Sequence, residues 1–159
     1  GYMLKKGATT MWERWEEATG KGMNSHNHAM YASIGSWFYK YLAGIKLPDT
    51  SVGFSDVIIE PVFPTGLDWV RAKLDTIRGT ISVSWVKKST SILLKINLPI
   101  GSNCDLRVPL LNNGFDVIKE SGVALDKVPR SRIQSVQYSG NKLTIKLEGG
   151  IYDFDIKHE

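Results

Sequence analysis

The residues best equipped for chemistry lie near the start of the chain, in Lys6-Gly7-Ala8-Thr9-Thr10-Met11-Trp12-Glu13-Arg14-Trp15. One carboxylate, Glu13, sits among tryptophans directly after a turn of small residues. A carboxylate can take or give a proton, and an indole face stacks on the apolar face of a pyranose ring, so the pairing suits cleavage of a glycosidic bond. Most glutamates in such a context are idle and solvated, but Trp12 and Trp15 argue against an idle surface acid here. Farther on, Asn27-His28 opens an apolar run. A histidine at a helix start is more often a cap or a packed ring than a ligand. Its neutral imidazole nevertheless offers one donor and one acceptor, which matches a pair of vicinal hydroxyls. His26, two residues earlier, is given no role. His26, His28 and Glu13 do not read as a metal site, because no third histidine lies nearby and ligands two residues apart point away from each other on a helix.

These residues need elements to hold them. Met30, Ile34, Trp37, Phe38, Tyr41, Leu42 and Ile45 recur at spacings of three and four, which predicts an amphipathic helix over residues 28–43. Ser25 or Asn27 is expected to cap it and Gly44 to stop it. Its aromatics, Trp37, Phe38, Tyr39 and Tyr41, read as packing, and a face that broad calls for a large partner surface. Residues 48–66, with Pro48, Pro61, Pro64, Gly53 and Gly66, read as a linker holding one short strand, Val57–Glu60.

Beyond the linker the period changes to two. Leu67–Leu74, Thr80–Lys87, Ile92–Leu98, Cys104–Leu110, Phe115–Lys119, Ile133–Tyr138, Lys142–Leu147 and Ile151–Ile156 are the expected strands. Turn residues separate them, among them Asn112-Asn113-Gly114 and Ser139-Gly140-Asn141. The expected fold class is therefore mainly β: an antiparallel β-sandwich or jelly-roll preceded by a helical segment. The expected division is residues 1–47 and 48–159. The sandwich core is expected to hold Trp69, Val83, Trp85, Leu94, Ile96, Val108, Leu143, Ile145 and Phe154. With Trp69, Trp85 and Phe115 read as inward, only Tyr138 and Tyr152 remain as outward aromatics.

Composition narrows the classes. The chain has 159 residues, 42% of them apolar and 23% charged, with a formal charge of +4. That suffices for an ordinary domain with a core. The lysines are scattered and form no stripe, so nucleic acid is not an expected partner. No apolar run approaches the ~20 residues of a membrane helix. Residues 1–10 lack the apolar stretch of a secretory leader, and the chain reads as starting inside a fold. Cys104 is the single cysteine, so no internal disulfide forms, and the compartment stays open. No phosphate-cradling glycine loop or nucleophile elbow occurs.

Taken together, the segment Gly7–Trp15, Met23-Asn24-Ser25-His26-Asn27-His28, Gly35–Ile45, Gly53-Phe54 and Ile58-Ile59-Glu60-Pro61 resemble the C-terminal part of bacterial α-L-rhamnosidases. The resemblance is specific over roughly the first 80 residues and architectural beyond them. It implies the end of an (α/α)6 catalytic barrel over residues 1–47, followed by a C-terminal β-sandwich. It also implies an inverting hydrolase of terminal α-L-rhamnosyl bonds, with no metal or organic cofactor. In inverting glycosidases one carboxylic acid protonates the leaving oxygen and a second carboxylate activates water, at a separation of ~6.5–9.5 Å. The resemblance assigns the water-activating base to Glu13 and a contact with sugar hydroxyls to His28, and it puts the general acid far upstream, outside this chain. Rhamnose has a methyl group and an apolar face, which Trp12 and Trp15 would wall. The implied partners are rhamnose-containing glycosides or polysaccharides and the remainder of the barrel. Residues 1–159 alone are expected to be inactive, with the aromatic helix face covered by another chain, by self-association or by folding back on the sandwich. Two rival readings stand beside this one: a non-catalytic carbohydrate-binding or structural sandwich, and a related barrel glycosidase of another specificity.

Overall fold

In a computed structural model the described residues are 1–17, 20–22, 25–110 and 117–157. They form two compact units, residues 1–38 and 39–159. The expected turn Asn112-Asn113-Gly114, the ring of Phe115 and the pair Met23-Asn24 lie outside the described residues.

The first unit holds a short helix α1 (Tyr2–Lys5), a 3-10 turn at Gly20–Gly22 and the helix α2 (Ala29–Trp37). The expected helix over 28–43 is present but changes character. It is α-helical only to Trp37, and the backbone then widens into a π-helical turn over Phe38–Leu42. Widening rotates successive side chains away from a 3.6-residue stripe, and Trp37, Phe38, Tyr39 and Tyr41 are all partly exposed rather than fully packed. The cap also differs from expectation. His28 itself occupies the N-cap with extended backbone, and no side chain caps the helix. The Ser25 hydroxyl instead accepts a bond from the Asn27 N–H at 3.0 Å, a local turn that competes with capping. Gly44 does end the run, at φ +77°.

The second unit is a two-sheet β-sandwich. One sheet has the order β1 (Ile45–Lys46), β2 (Asp56–Ile59), β6 (Asn103–Pro109), β10 (Lys142–Leu147), β9 (Ile133–Ser139). The other runs β3 (Trp69–Thr76), β4 (Gly79–Lys87), β5 (Ser91–Leu98), β11 (Gly150–Lys157), β7 (Val117–Glu120), β8 (Val123–Ala124). The alternating pattern produces this directly: Ile81, Val83 and Trp85, Leu94 and Ile96, Leu106 and Val108, Leu143 and Ile145, and Phe154 and Ile156 all point inward and are buried.

Four details depart from the sequence reading. The proline-rich linker is not a spacer, since its short strand β2 pairs with both β1 and β6 in the first sheet. β2 pairs with β6 in parallel, Val57 opposite Cys104 and Ile59 opposite Leu106, so the sandwich is not wholly antiparallel. Trp69 points outward with 59% of its surface exposed. Its parity is that of Arg71 and Lys73, while Val70, Ala72 and Leu74 pack against the core. On a strand the face is set by position, and the five polar and apolar neighbours outweigh the hydrophobicity of one indole. Tyr152 departs the other way: it is buried, with its hydroxyl 3.1 and 3.0 Å from the carbonyls of Arg132 and Glu148.

Two polar groups enclosed by the core have specific partners, while Asp155 Oδ1 is buried without one among the described residues. The Trp85 indole N–H donates to the Leu42 carbonyl at 2.8 Å, and Phe63 meets its ring edge-on at 5.2 Å. The Glu120 carboxylate is buried and accepts two bonds from Arg132, at 2.9 and 2.8 Å, and one from the Ser121 hydroxyl at 2.7 Å. Burial pushes its pKa up, but the bonds from Arg132 and Ser121 outweigh this and hold it below the ordinary carboxylate range.

Candidate functional site

The chemistry-bearing residues of the first unit lie on two extended segments, residues 10–13 and 25–28, that hydrogen-bond to each other. The Glu13 N–H donates to the Ser25 carbonyl at 2.9 Å and the His28 N–H donates to the Met11 carbonyl at 2.7 Å. The Thr10 hydroxyl closes the ladder by donating to the His26 carbonyl. Arg14 ties the following loop down by donating to the Gly22 carbonyl at 2.8 Å.

This pairing brings Glu13 and His28 together. His28 Nδ1 lies 3.8 Å from Glu13 Oε2, with about a quarter of each side chain exposed. The distance is too long for a hydrogen bond and short enough for charge coupling or for a shared hydroxyl or water. Because His28 is the N-cap of α2, its ring projects from the helix start instead of along its side, and the Tyr31 ring, one turn on, meets it at 5.1 Å. The other acids of this unit are engaged elsewhere: Glu16 with Arg14 at 3.3 Å and Glu17 with Lys6 at 2.9 Å.

The two tryptophans have separate environments. Trp12 is 7% exposed and meets the His26 ring in a tilted contact, with centroids 4.7 Å apart. His26, given no role by sequence, is thus a packing neighbour of Trp12. Trp15 is 78% exposed and lines an apolar groove of about 410 Å³ with Tyr2, Met3, Ala8 and Met11. One indole is a packed wall and the other an open surface.

Chemically, this unit presents one partly buried carboxylate beside an imidazole, with an accessible aromatic surface two residues along the chain. A carboxylate so placed can accept a proton from water, and the imidazole can bond a hydroxyl. Among the described residues no cluster of three or more histidine, cysteine, aspartate or glutamate side chains is arranged to hold a metal ion. No helix of the described residues is long and apolar enough to cross a membrane.

Comparison with known proteins matches both units. Residues 1–42 match the family described as the bacterial alpha-L-rhamnosidase 6 hairpin glycosidase domain, and residues 44–122 match the bacterial alpha-L-rhamnosidase C-terminal domain. An alpha-L-rhamnosidase of Formosa agariphila is 28% identical over 163 aligned residues, covering 99% of this chain and 17% of that protein. One from Streptomyces avermitilis is 33% identical over 115 residues, covering 69% of this chain and 11% of that protein. Among solved structures, alpha-L-rhamnosidase from Dictyoglumus thermophilum superposes with a TM-score of 0.79 at 32% identity, covering 99% of this chain and 17% of that one. The Streptomyces avermitilis enzyme, solved in complex with L-rhamnose, gives a TM-score of 0.75 at 25% identity over 99% of this chain and 14% of that one. The chain thus spans about a sixth or less of the length of these relatives.

Proposed function

The chain belongs to the bacterial α-L-rhamnosidases, matching their C-terminal part, and on that premise we propose that it contributes the general base and one sugar contact to an inverting hydrolase of terminal α-L-rhamnosyl bonds. In this reading residues 1–47 close a helical catalytic barrel and residues 48–159 follow as its C-terminal domain. Glu13 takes the proton from the attacking water. His28 bonds the sugar hydroxyls, Trp15 offers its exposed indole to the apolar face and methyl group of rhamnose, and the buried Trp12 backs the site. The single observation that carries the proposal is the 3.8 Å approach of His28 to Glu13 across two hydrogen-bonded segments.

An inverting reaction needs a second carboxyl group, which protonates the leaving oxygen from the other side of the bond. Glu16 and Glu17 are held by Arg14 and Lys6, so the acid comes from the rest of the barrel. Residues 1–159 alone are therefore inactive. The test is hydrolysis of an aryl α-L-rhamnoside, measured with this chain alone and with the longer polypeptide that includes the rest of the barrel. The expected result is turnover only in the longer protein, lowered by ~10²–10⁴ in kcat by Glu13→Gln, the usual contribution of a general base. Turnover by the short chain, or near-normal kcat in the variant, would overturn the assignment.

A further inference from the structure

The outward position of Trp69 gives the β-sandwich a surface that the catalytic reading leaves unused. Strand registers set side chains on the outer face of the second sheet into rows. Trp69 lies opposite Val86 and Val86 opposite Leu93, an apolar strip headed by the exposed indole. The next row is polar: Arg71 opposite Ser84, and Ser84 opposite Lys95. Beside them Arg71, Lys73, Ser82, Ser84 and Asn97 line a shallow depression of about 590 Å³. Adjacent strands are ~4.8 Å apart and like-facing residues on one strand ~6.6 Å apart, spacings comparable to a pyranose ring.

The charges on this face are unequally engaged. Lys73 meets Asp75 at 3.4 Å and Lys95 meets Asp153 at 2.9 Å. Among the described residues, Arg71 meets no carboxylate, and its guanidinium stands 5.8 Å from the Trp69 ring centroid. An exposed indole beside an uncommitted guanidinium fork and a row of hydroxyls is complementary to a ligand with an apolar ring face and an attached carboxylate.

We propose that this face is a saccharide-binding surface, separate from the Glu13 site, that takes an acidic sugar. Its ring lies on Trp69 and its carboxylate pairs with Arg71, while Ser82, Ser84 and Asn97, farther along the strands, bond hydroxyls of the neighbouring sugar units. Arg71 is the element that favours a uronic acid over a neutral sugar, because a fork of two parallel N–H donors matches a carboxylate and gains little from a hydroxymethyl group.

Titration calorimetry of the full 159-residue chain tests this with a galacturonate trisaccharide and with the same trisaccharide after its carboxyl groups are reduced to alcohols. The acidic sugar is expected to bind at least about tenfold more tightly than the reduced one, with a preference that shrinks as salt is raised. Trp69→Ala should abolish measurable binding of both. Arg71→Gln should erase the preference while leaving weak binding of the reduced sugar. Glu13→Gln should change neither, which separates a failure here from a failure of the catalytic proposal. Trp69 and Arg71 are both exposed, so thermal unfolding of the variants should match that of the parent. If Trp69→Ala does unfold the chain, Arg71→Gln still decides the matter. Absence of binding by either sugar, binding indifferent to Trp69→Ala, or an acid preference that survives Arg71→Gln would each overturn the proposal.

Discussion

His28 and Glu13, far apart along the chain, meet with Nδ1 3.8 Å from Oε2 because two backbone hydrogen bonds zip residues 11–13 against 25–28. Neither residue is placed by a regular element of its own. Glu13 lies in a bend, and His28 is the last non-helical residue before α2. Any role for the pair therefore depends on the ladder between the segments, which Thr10 extends.

In the longer, catalytically complete polypeptide, His28→Ala should raise KM for a rhamnoside by roughly 5- to 150-fold, the ~1–3 kcal/mol cost of leaving a buried hydroxyl without its partner. Helix α2 should survive, because the His28 side chain makes no capping bond. Steady-state kinetics with circular dichroism read both effects. An unchanged KM would return His28 to a packing role.

Gly44→Ala should destabilise the sandwich by at least about 2 kcal/mol, since a positive φ and a steric clash act together. At φ +77° an added Cβ would sit 2.2 Å from the Glu60 carbonyl carbon, and the Glu60 N–H to Gly44 carbonyl bond of 2.9 Å fixes that approach. Gly140→Ala is the control: its φ of +56° carries strain, but nothing lies within 4 Å of its Cβ. Urea unfolding should show the Gly44 variant losing clearly more.

Glu60 links two strands of the first sheet, accepting bonds from Lys46 of β1 at 2.9 Å and from Lys142 of β10. Burial raises its pKa, but the two lysines outweigh this and bring it down to about 2 from an ordinary 4.5. A depressed carboxylate pKa contributes stability that is present above the unfolded value and lost as pH falls toward the folded one. The contribution should therefore disappear between about pH 4.5 and pH 2. Solvent screening keeps it to the order of 1 kcal/mol. Thermal melts across that range should show a steeper acid loss for the parent than for Glu60→Gln, which should be the less stable protein at pH 6. Parallel curves would remove Glu60 from the account.

Cys104 is buried in β6 and its thiol is pushed up to about 12 by that burial. The thiolate is the reactive form, so the native chain should resist aromatic disulfide reagents at pH 8 and react stoichiometrically once unfolded in guanidinium. Rapid labelling of the folded chain would show that β6 opens readily at this point.

Much of the sandwich is legible in the sequence, because a strand repeats every two residues whatever it pairs with. That local rule placed eight strands within a residue or two, apart from the part of the fifth beyond the described residues, and put Val83, Trp85, Leu94, Ile145 and Phe154 in the core. The same rule contained the correct answer for Trp69, whose parity matches Arg71 and Lys73. Reading the indole as core let residue type override position, and the structure reverses it. The Trp-Glu and Asn-His motifs were equally visible as candidates for sugar chemistry.

Tertiary structure alone decided what depends on distant partners. Nothing in Asp56–Ile59 announces that it pairs in parallel with Asn103–Pro109, because parallel pairing joins segments remote in sequence and leaves no local turn to mark it. The end of α2 was ambiguous for a similar reason. A π turn differs from an α turn by a single residue of hydrogen-bond register, too little to alter a pattern of aromatics. The separate environments of Trp12, buried beside His26, and Trp15, open to solvent, could not be read from two identical side chains three residues apart. The approach of His28 to Glu13 belongs here as well: sequence supplied both side chains, and the fold brought them together through backbone bonds that any residue type can make.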